Sequence, residues 1–180
     1  MDPNVLLFSY LNAAAGRFSW LDSTMIFLAE YSIYILALGV LVMLTRKPPV
    51  TIRNREMAIV ALGSAIVARA GVTEIVRWLY YHPRPYWALE NVNLLLGQNL
   101  NGSFPSGHTM FAFALATGVY LYDKRAGKWF YALAVVMGIA RVFVGAHWPY
   151  DILGGIVLGV LTTLICQKIY TKHIKKHIEK

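Results

Sequence analysis

Five long apolar runs dominate this chain, roughly Leu21–Leu44, Met57–Tyr80, Gly107–Tyr122, Trp129–Val144 and Tyr150–Tyr170. A helix of about 20 apolar residues crosses the hydrocarbon core of a bilayer, with every backbone N–H and C=O paired inside it. Only 14% of the residues are charged, against about 25% in a soluble domain. The runs therefore predict an all-α fold: a polytopic membrane helical bundle of about five transmembrane helices, in one domain spanning 1–180. The third and fourth runs are short, which suits tilting or local thinning of the bilayer around a site.

The segment 1–20 reads differently. Val5–Leu11 is apolar and is followed by Ala13-Ala14-Ala15-Gly16, a superficial match to a signal-peptide cleavage site. Only Asp2 precedes it as a charged residue, so the basic leader of a signal peptide is missing and a retained interfacial helix is expected. The net charge of +8 would suggest nucleic acid in a soluble protein. Here Lys and Arg lie between and after the apolar runs, where topology and anionic headgroups account for them, and no nucleic-acid partner is expected. The first connection carries Arg46, Lys47, Arg53 and Arg55, and the third carries Lys124, Arg125 and Lys128. The tail carries Lys168, Lys172, Lys175, Lys176 and Lys180. Five spans put all of these on one side, which the positive-inside rule makes cytoplasmic, with 171–180 as a basic cytoplasmic tail. Residues 81–106 then form an external loop rich in Pro, Asn and Gly. Its Leu94-Leu95-Leu96 is expected to dip toward the membrane surface, and the loop reads equally as a lid or as a plain solvent connection.

Ionisable residues within apolar segments are costly and mark candidate sites. Pro105-Ser106-Gly107-His108 precedes an apolar helix. The free N–H groups and positive dipole end of such a start can hold an anion, with Gly107 allowing close approach and Ser106 offering a hydroxyl. His108 alone reads equally as a helix cap. His147 stands at the entry of the last run, with Pro149 in the first turn and Asp151 one turn in. Asp151 can accept a hydrogen bond from one imidazole nitrogen and leave the other with a nucleophilic lone pair. Arg141 precedes this turn and can reach the same pocket. Arg77 lies at the outer end of the second run, and Arg84 follows between Pro83 and Pro85. Guanidinium forks match phosphate oxygens, although either arginine alone reads first as a side chain snorkelling to headgroups. Glu74 is spaced to pair with Arg77, and Glu30 is expected to pair with Arg69. Cys166, the one cysteine, reads as a core or lipid-facing residue.

Taken together, Arg77-x6-Arg84-Pro85, Pro105-Ser106-Gly107-His108 and Arg141-x5-His147-x3-Asp151 resemble the three-part signature of the type-2 phosphatidic acid phosphatase superfamily. The resemblance covers about Arg77–Asp151. Two positions depart from it: Arg77 stands where the family usually has Lys, and Ala140 stands where Ser usually precedes the third arginine. What the resemblance implies is a metal-independent, cofactor-free lipid phosphatase. His147 would attack phosphorus to form a phosphohistidine, with Asp151 orienting it. His108 would protonate the leaving oxygen and later activate water. Arg77, Arg84 and Arg141 would hold the phosphate with Ser106 and Gly107, while Glu74, Pro85 and Pro105 would support them.

The size of the chain and the stretch Trp20-Leu21-Asp22-Ser23…Glu30-Tyr31 resemble, more loosely, the small bacterial undecaprenyl-pyrophosphate phosphatases of that superfamily. This implies a multi-pass protein of the bacterial cell membrane with its site facing outside. Its substrate would be a polyprenyl or glycerolipid phosphate of the outer leaflet, among the membrane lipids. The alternative is a phosphatidylglycerophosphate or broad-specificity phosphatidic acid phosphatase. A transporter or lipid-binding protein with a degenerate site would lack His108, His147 or Asp151, and all three are present. Haloperoxidase relatives are soluble, which this chain is not expected to be.

Overall fold

The computed structural model describes residues 2–45 and 51–175, and all regular structure among them is helical. Helix α1 (Pro3–Asn12) opens where the Asp2 carboxylate accepts the Asn4 N–H and Pro3 occupies the first turn. α2 spans Ser19–Thr45. The next rod, Ile52–Leu79, is continuous and made of α3 (Ile52–Ile66), a π-helical stretch Val67–Val72 and α4 (Thr73–Leu79). A single turn, α5 (Pro85–Ala88), lies in the connection to α6 (Gly107–Tyr122). α7 (Lys124–Phe143) and α8 (Pro149–Ile169) follow, and α8 runs on into a π-helical turn, Tyr170–Lys175.

Each apolar run has become a helix. α2, the α3–α4 rod, α7 and the Pro149–Lys172 helix are long and apolar enough to cross a membrane. α6, with 16 residues, is about 24 Å long, short of the roughly 30 Å of hydrocarbon. The short third run is thus a short helix. The fourth run is not short: α7 starts at Lys124 because Asp123 accepts the Ala126 N–H and opens the helix ahead of Trp129.

α6 is the axis of the bundle and packs against α3, α7 and α8. Hydrocarbon chains are as apolar as Leu, so burial against lipid gives helices little reason to associate. Close contact between small residues supplies it instead. A Cβ on Gly118 would strike the Ala61 backbone, and one on Gly159 would strike the Met110 carbonyl. Thr163 of α8 donates to the Ala114 carbonyl at 2.9 Å and contacts Ser64 of α3 at 3.2 Å, tying three helices together. The outer surface carries Phe27, Leu38, Trp78, Val157 and Leu161, apolar and exposed, as a lipid-facing wall requires. Trp20 and Trp78 are exposed near one end and Trp129 near the other, in the manner of interfacial belts.

α2, α6 and α8 begin at the same end of the bundle, where α4 and α7 finish. The connections after α2 and α6 lie at the other end, where Asn54 donates to the Met43 carbonyl and Tyr122 to Gln167. Arg53, Arg55, Lys124, Arg125, Lys128 and Lys168 belong to that second end. Arg46, Lys47, Lys176 and Lys180 lie outside the described residues.

Candidate active site

The turn between α7 and α8 sets the first pair. Gly145 adopts φ +81°, a region open to glycine, and Ala146 N–H returns to the Arg141 carbonyl at 3.1 Å. His147 thereby arrives at the mouth of α8. Asp151, three residues past the N-cap Trp148, accepts the Trp148 N–H through Oδ2 at 2.8 Å, as a capping-box acid does. Ser103 Oγ donates to the same oxygen, and His147 Nδ1 lies 3.4 Å from it. His147 and Asp151 are each 1% exposed. Burial pushes the His147 imidazole down to about 3, against the opposing pull of its Asp151 hydrogen bond. The ring is therefore neutral at ordinary pH. Nδ1–H facing Asp151 leaves Nε2 with its lone pair, 3.4 Å from Arg84 Nη1.

The arginines come from three elements. Arg84, fixed by the turn at Pro83 and Pro85, donates Nε to Asn101 O and Nη1 to Ala146 O, each at 3.0 Å. Burial lowers its pKa from the ordinary value, and it stays charged. Arg77 of α4 donates Nη2 to Pro105 O at 3.2 Å and approaches Glu74 at 3.5 Å. Arg141 of α7 donates Nη1 to Glu30 at 2.6 Å. The Nε atoms of Arg77 and Arg141 are buried without a hydrogen-bond partner. Two orphaned guanidinium donors in one region fit an anionic ligand.

Phe104-Pro105 is a cis peptide and leads into α6. Ser106 is fully buried, gives its N–H to the Asp151 carbonyl at 3.1 Å, and accepts from Thr109 Oγ1. Its backbone donor is thus committed to α8, while the first intrahelical bond runs from Met110 N–H to Ser106 O. The N–H groups from Gly107 to Thr109 are left at the positive end of α6. A cavity of about 270 Å³ opens here, lined by Glu30, Arg84, Tyr86, His108, Arg141, Ala146 and the loop 96–99. His108 and two of the three arginines share its wall; Arg77 is not part of the lining and sits beside the Pro105 turn. A larger cavity, about 750 Å³, lies at the opposite end among Arg53, Asn54 and Asp123 and holds no site residue. Among the described residues, no cluster of three or more His, Cys, Asp and Glu side chains is placed to hold a metal ion.

One expected pairing is not formed. Glu30 meets Arg141, not Arg69, and Arg69 pairs with Glu74 at 3.0 Å. The π-helical stretch is the reason, since it puts residues five apart on one face. The Glu74–Arg77 approach is present. The connection between α4 and α6 is anchored to its neighbours. Leu95 and Leu96 pack against α2 and α7, and Leu95 N–H bonds Val144 O at 3.1 Å. Asn12 at the end of α1 donates to Asn93 O at 2.9 Å and Phe143 O at 2.8 Å, and accepts the Asn93 N–H. Ser103 and His82 were not singled out by any motif. Ser103 is fully buried on Asp151, and His82 Nδ1 lies 3.7 Å from Asp151 Oδ1, both atoms lacking a hydrogen-bond partner.

A family model described as the PAP2 superfamily matches residues 58–175, and the chain belongs to that superfamily. It is a multi-pass membrane hydrolase. Relatives include a Bacillus licheniformis protein named bacitracin transport permease protein BcrC, 37% identical over 89% of this chain and 77% of that one. The undecaprenyl-diphosphatase BcrC of Bacillus subtilis is 28% identical over 88% of this chain and 79% of its own length. Among solved structures, Aquifex aeolicus LpxE superposes with a TM-score of 0.75 and 27% identity, covering 93% of this chain and 96% of that one.

Proposed function

We propose that this protein hydrolyses undecaprenyl pyrophosphate to undecaprenyl phosphate and inorganic phosphate at the external membrane face, through a phosphohistidine on His147. The observation that carries the reading is the buried Asp151–His147 pair, whose outer nitrogen meets Arg84 at the wall of a cavity shared with His108 and Arg141. The Nε2 lone pair attacks the terminal phosphorus as the P–O bond to the lipid phosphate breaks. Arg84, Arg141 and the N–H groups at the start of α6 hold the equatorial oxygens, with Arg77 adding charge from behind the Pro105 turn. His108 supplies a proton to the leaving oxygen, then takes one from the water that attacks the phosphohistidine and frees inorganic phosphate. A phosphate monoester, with a second pKa of about 6, departs with less need of that proton than an alkoxide. An anhydride substrate therefore suits the site.

The Bacillus subtilis relative, named an undecaprenyl-diphosphatase, supports the substrate. The permease name of the Bacillus licheniformis relative suggests transport, for which an oriented nucleophilic imidazole has no use. External orientation is supported by the basic residues at the opposite end. Phosphate release by the purified protein in detergent with EDTA tests the reading. Undecaprenyl pyrophosphate, phosphatidylglycerophosphate and phosphatidic acid would be offered in parallel, with His147→Ala as control. Turnover is expected to be fastest on the pyrophosphate and absent in the variant. Preference for a glycerolipid would overturn the substrate, and an active variant would overturn the mechanism.

A further inference from the structure

Glu30 reaches the cavity from α2, outside the 58–175 segment that matches the superfamily. Its Oε1 lies 2.6 Å from Arg141 Nη1, a short charge-assisted contact. The two partners differ in setting: the Arg141 side chain is 7% exposed and the Glu30 side chain 42%. A nearly buried guanidinium requires an anion, and removing that anion outright is costly. A half-exposed carboxylate on a polar cavity wall is a partner that can leave. Arg141 also keeps a buried Nε with no acceptor, so Glu30 satisfies only part of its fork. A phosphate offers more charge and several oxygens, and it needs the same Nη1.

We infer that Glu30 is a release-determining residue: its carboxylate occupies Arg141 in the resting enzyme and competes there with phosphate. The inference rests on the proposed phosphatase reading and deepens it. When substrate enters, its phosphate displaces Glu30 from Arg141. When inorganic phosphate is ready to leave, Glu30 takes Arg141 back, so the arginine is never left buried without a counter-ion. The displaced carboxylate also repels the bound product from the cavity wall. A structural counter-ion would act otherwise, and its loss would only weaken the site.

Binding of inorganic phosphate to His147→Ala protein in detergent, followed by calorimetry, separates the two because no turnover is needed. Adding Glu30→Gln keeps the shape and removes the charge. The expected result is about tenfold tighter phosphate binding, equivalent to about 1.4 kcal/mol. With His147 intact, Glu30→Gln is expected to lower KM and kcat together as product release slows. Phosphate bound equally or more weakly by the Glu30→Gln protein overturns the inference and leaves the phosphatase reading standing. Phosphate bound by neither protein overturns both. If Glu30→Gln reduces the yield of folded protein, Glu30→Asp replaces it. The shorter carboxylate withdraws from Arg141, and a smaller tightening is expected, with unchanged affinity counting against the inference.

Discussion

Asp151 shows how one carboxylate oxygen can organise a site. Its Oδ2 receives the Trp148 N–H, the Ser103 hydroxyl and the His147 imidazole, so the helix cap and the proposed nucleophile share one acceptor. Any loss at that oxygen should be read in chemistry before stability. Ser103→Ala removes a hydrogen bond to a charged group, worth about 1.5–3 kcal/mol. If that bond acts through the orientation of His147, kcat should fall roughly tenfold to a hundredfold with KM little changed. Steady-state kinetics on the purified variant would check this, and an unaltered kcat would show that Ser103 does not hold Asp151 in place. The His147–Asp151 pair was legible in the sequence because Pro149 marks a helix start, which puts His147 just ahead of its mouth and Asp151 in its first turn. Ser103 was not, because a turn through Phe104-Pro105, closed by its own N–H on His82 O at 2.7 Å, brings it to α8. Glu30 was assigned the wrong partner for a related reason. Residues five apart point roughly 140° away from one another on an α-helix, so nothing in the sequence suggested that Glu74 would claim Arg69 across a π-helical stretch.

At the scale of elements, the site gathers where α6 and α8 begin and α4 and α7 finish. α6 can occupy the axis only because Gly118 and Gly159 let neighbouring backbones approach closely. Gly118→Val drives a branched side chain into Ala61, far from the histidines, and overpacking of this kind costs about 1–3 kcal/mol. The expected outcome is a lower thermal midpoint in detergent, with normal KM in whatever protein folds; an unchanged midpoint would contradict this packing. The helices themselves were readable because apolar runs in lipid have few alternatives to helix. The start of α7 was not, since composition ended the run at Trp129 whereas the Asp123 cap extends the helix to Lys124. The anchoring of the connection between α4 and α6 was also hidden, because Asn12 and Asn93 meet across a sequence separation of 81 residues.

For the whole molecule, the proposed site and the most basic connections lie at opposite ends of the bundle: His108, His147 and the three site arginines at one, Arg53, Arg55, Lys124, Arg125 and Lys128 at the other. The proposed orientation makes the first end external. In a Cys166→Ala background, Gln98→Cys should react with a membrane-impermeant thiol reagent on intact cells, and Lys124→Cys should react only after the membrane is opened. The reverse pattern would turn the site to the cytoplasm and remove the outer-leaflet substrate. The general position of the site could be read because several costly ionisable residues fall at alternate ends of successive runs. Its internal connections, Glu30 on Arg141 above all, arise only when α2 packs against α7.

The central claim is that His147 carries the phosphoryl group between substrate and water. The most direct test is to mix His108→Ala protein, whose water-activating imidazole is gone, with undecaprenyl pyrophosphate, quench at high pH, and map phosphorylated peptides by mass spectrometry. A base-stable, acid-labile phosphoryl group on His147, absent when His147 is also replaced, is the predicted result. Phosphate release without any such adduct, or an adduct on another residue, would contradict the account.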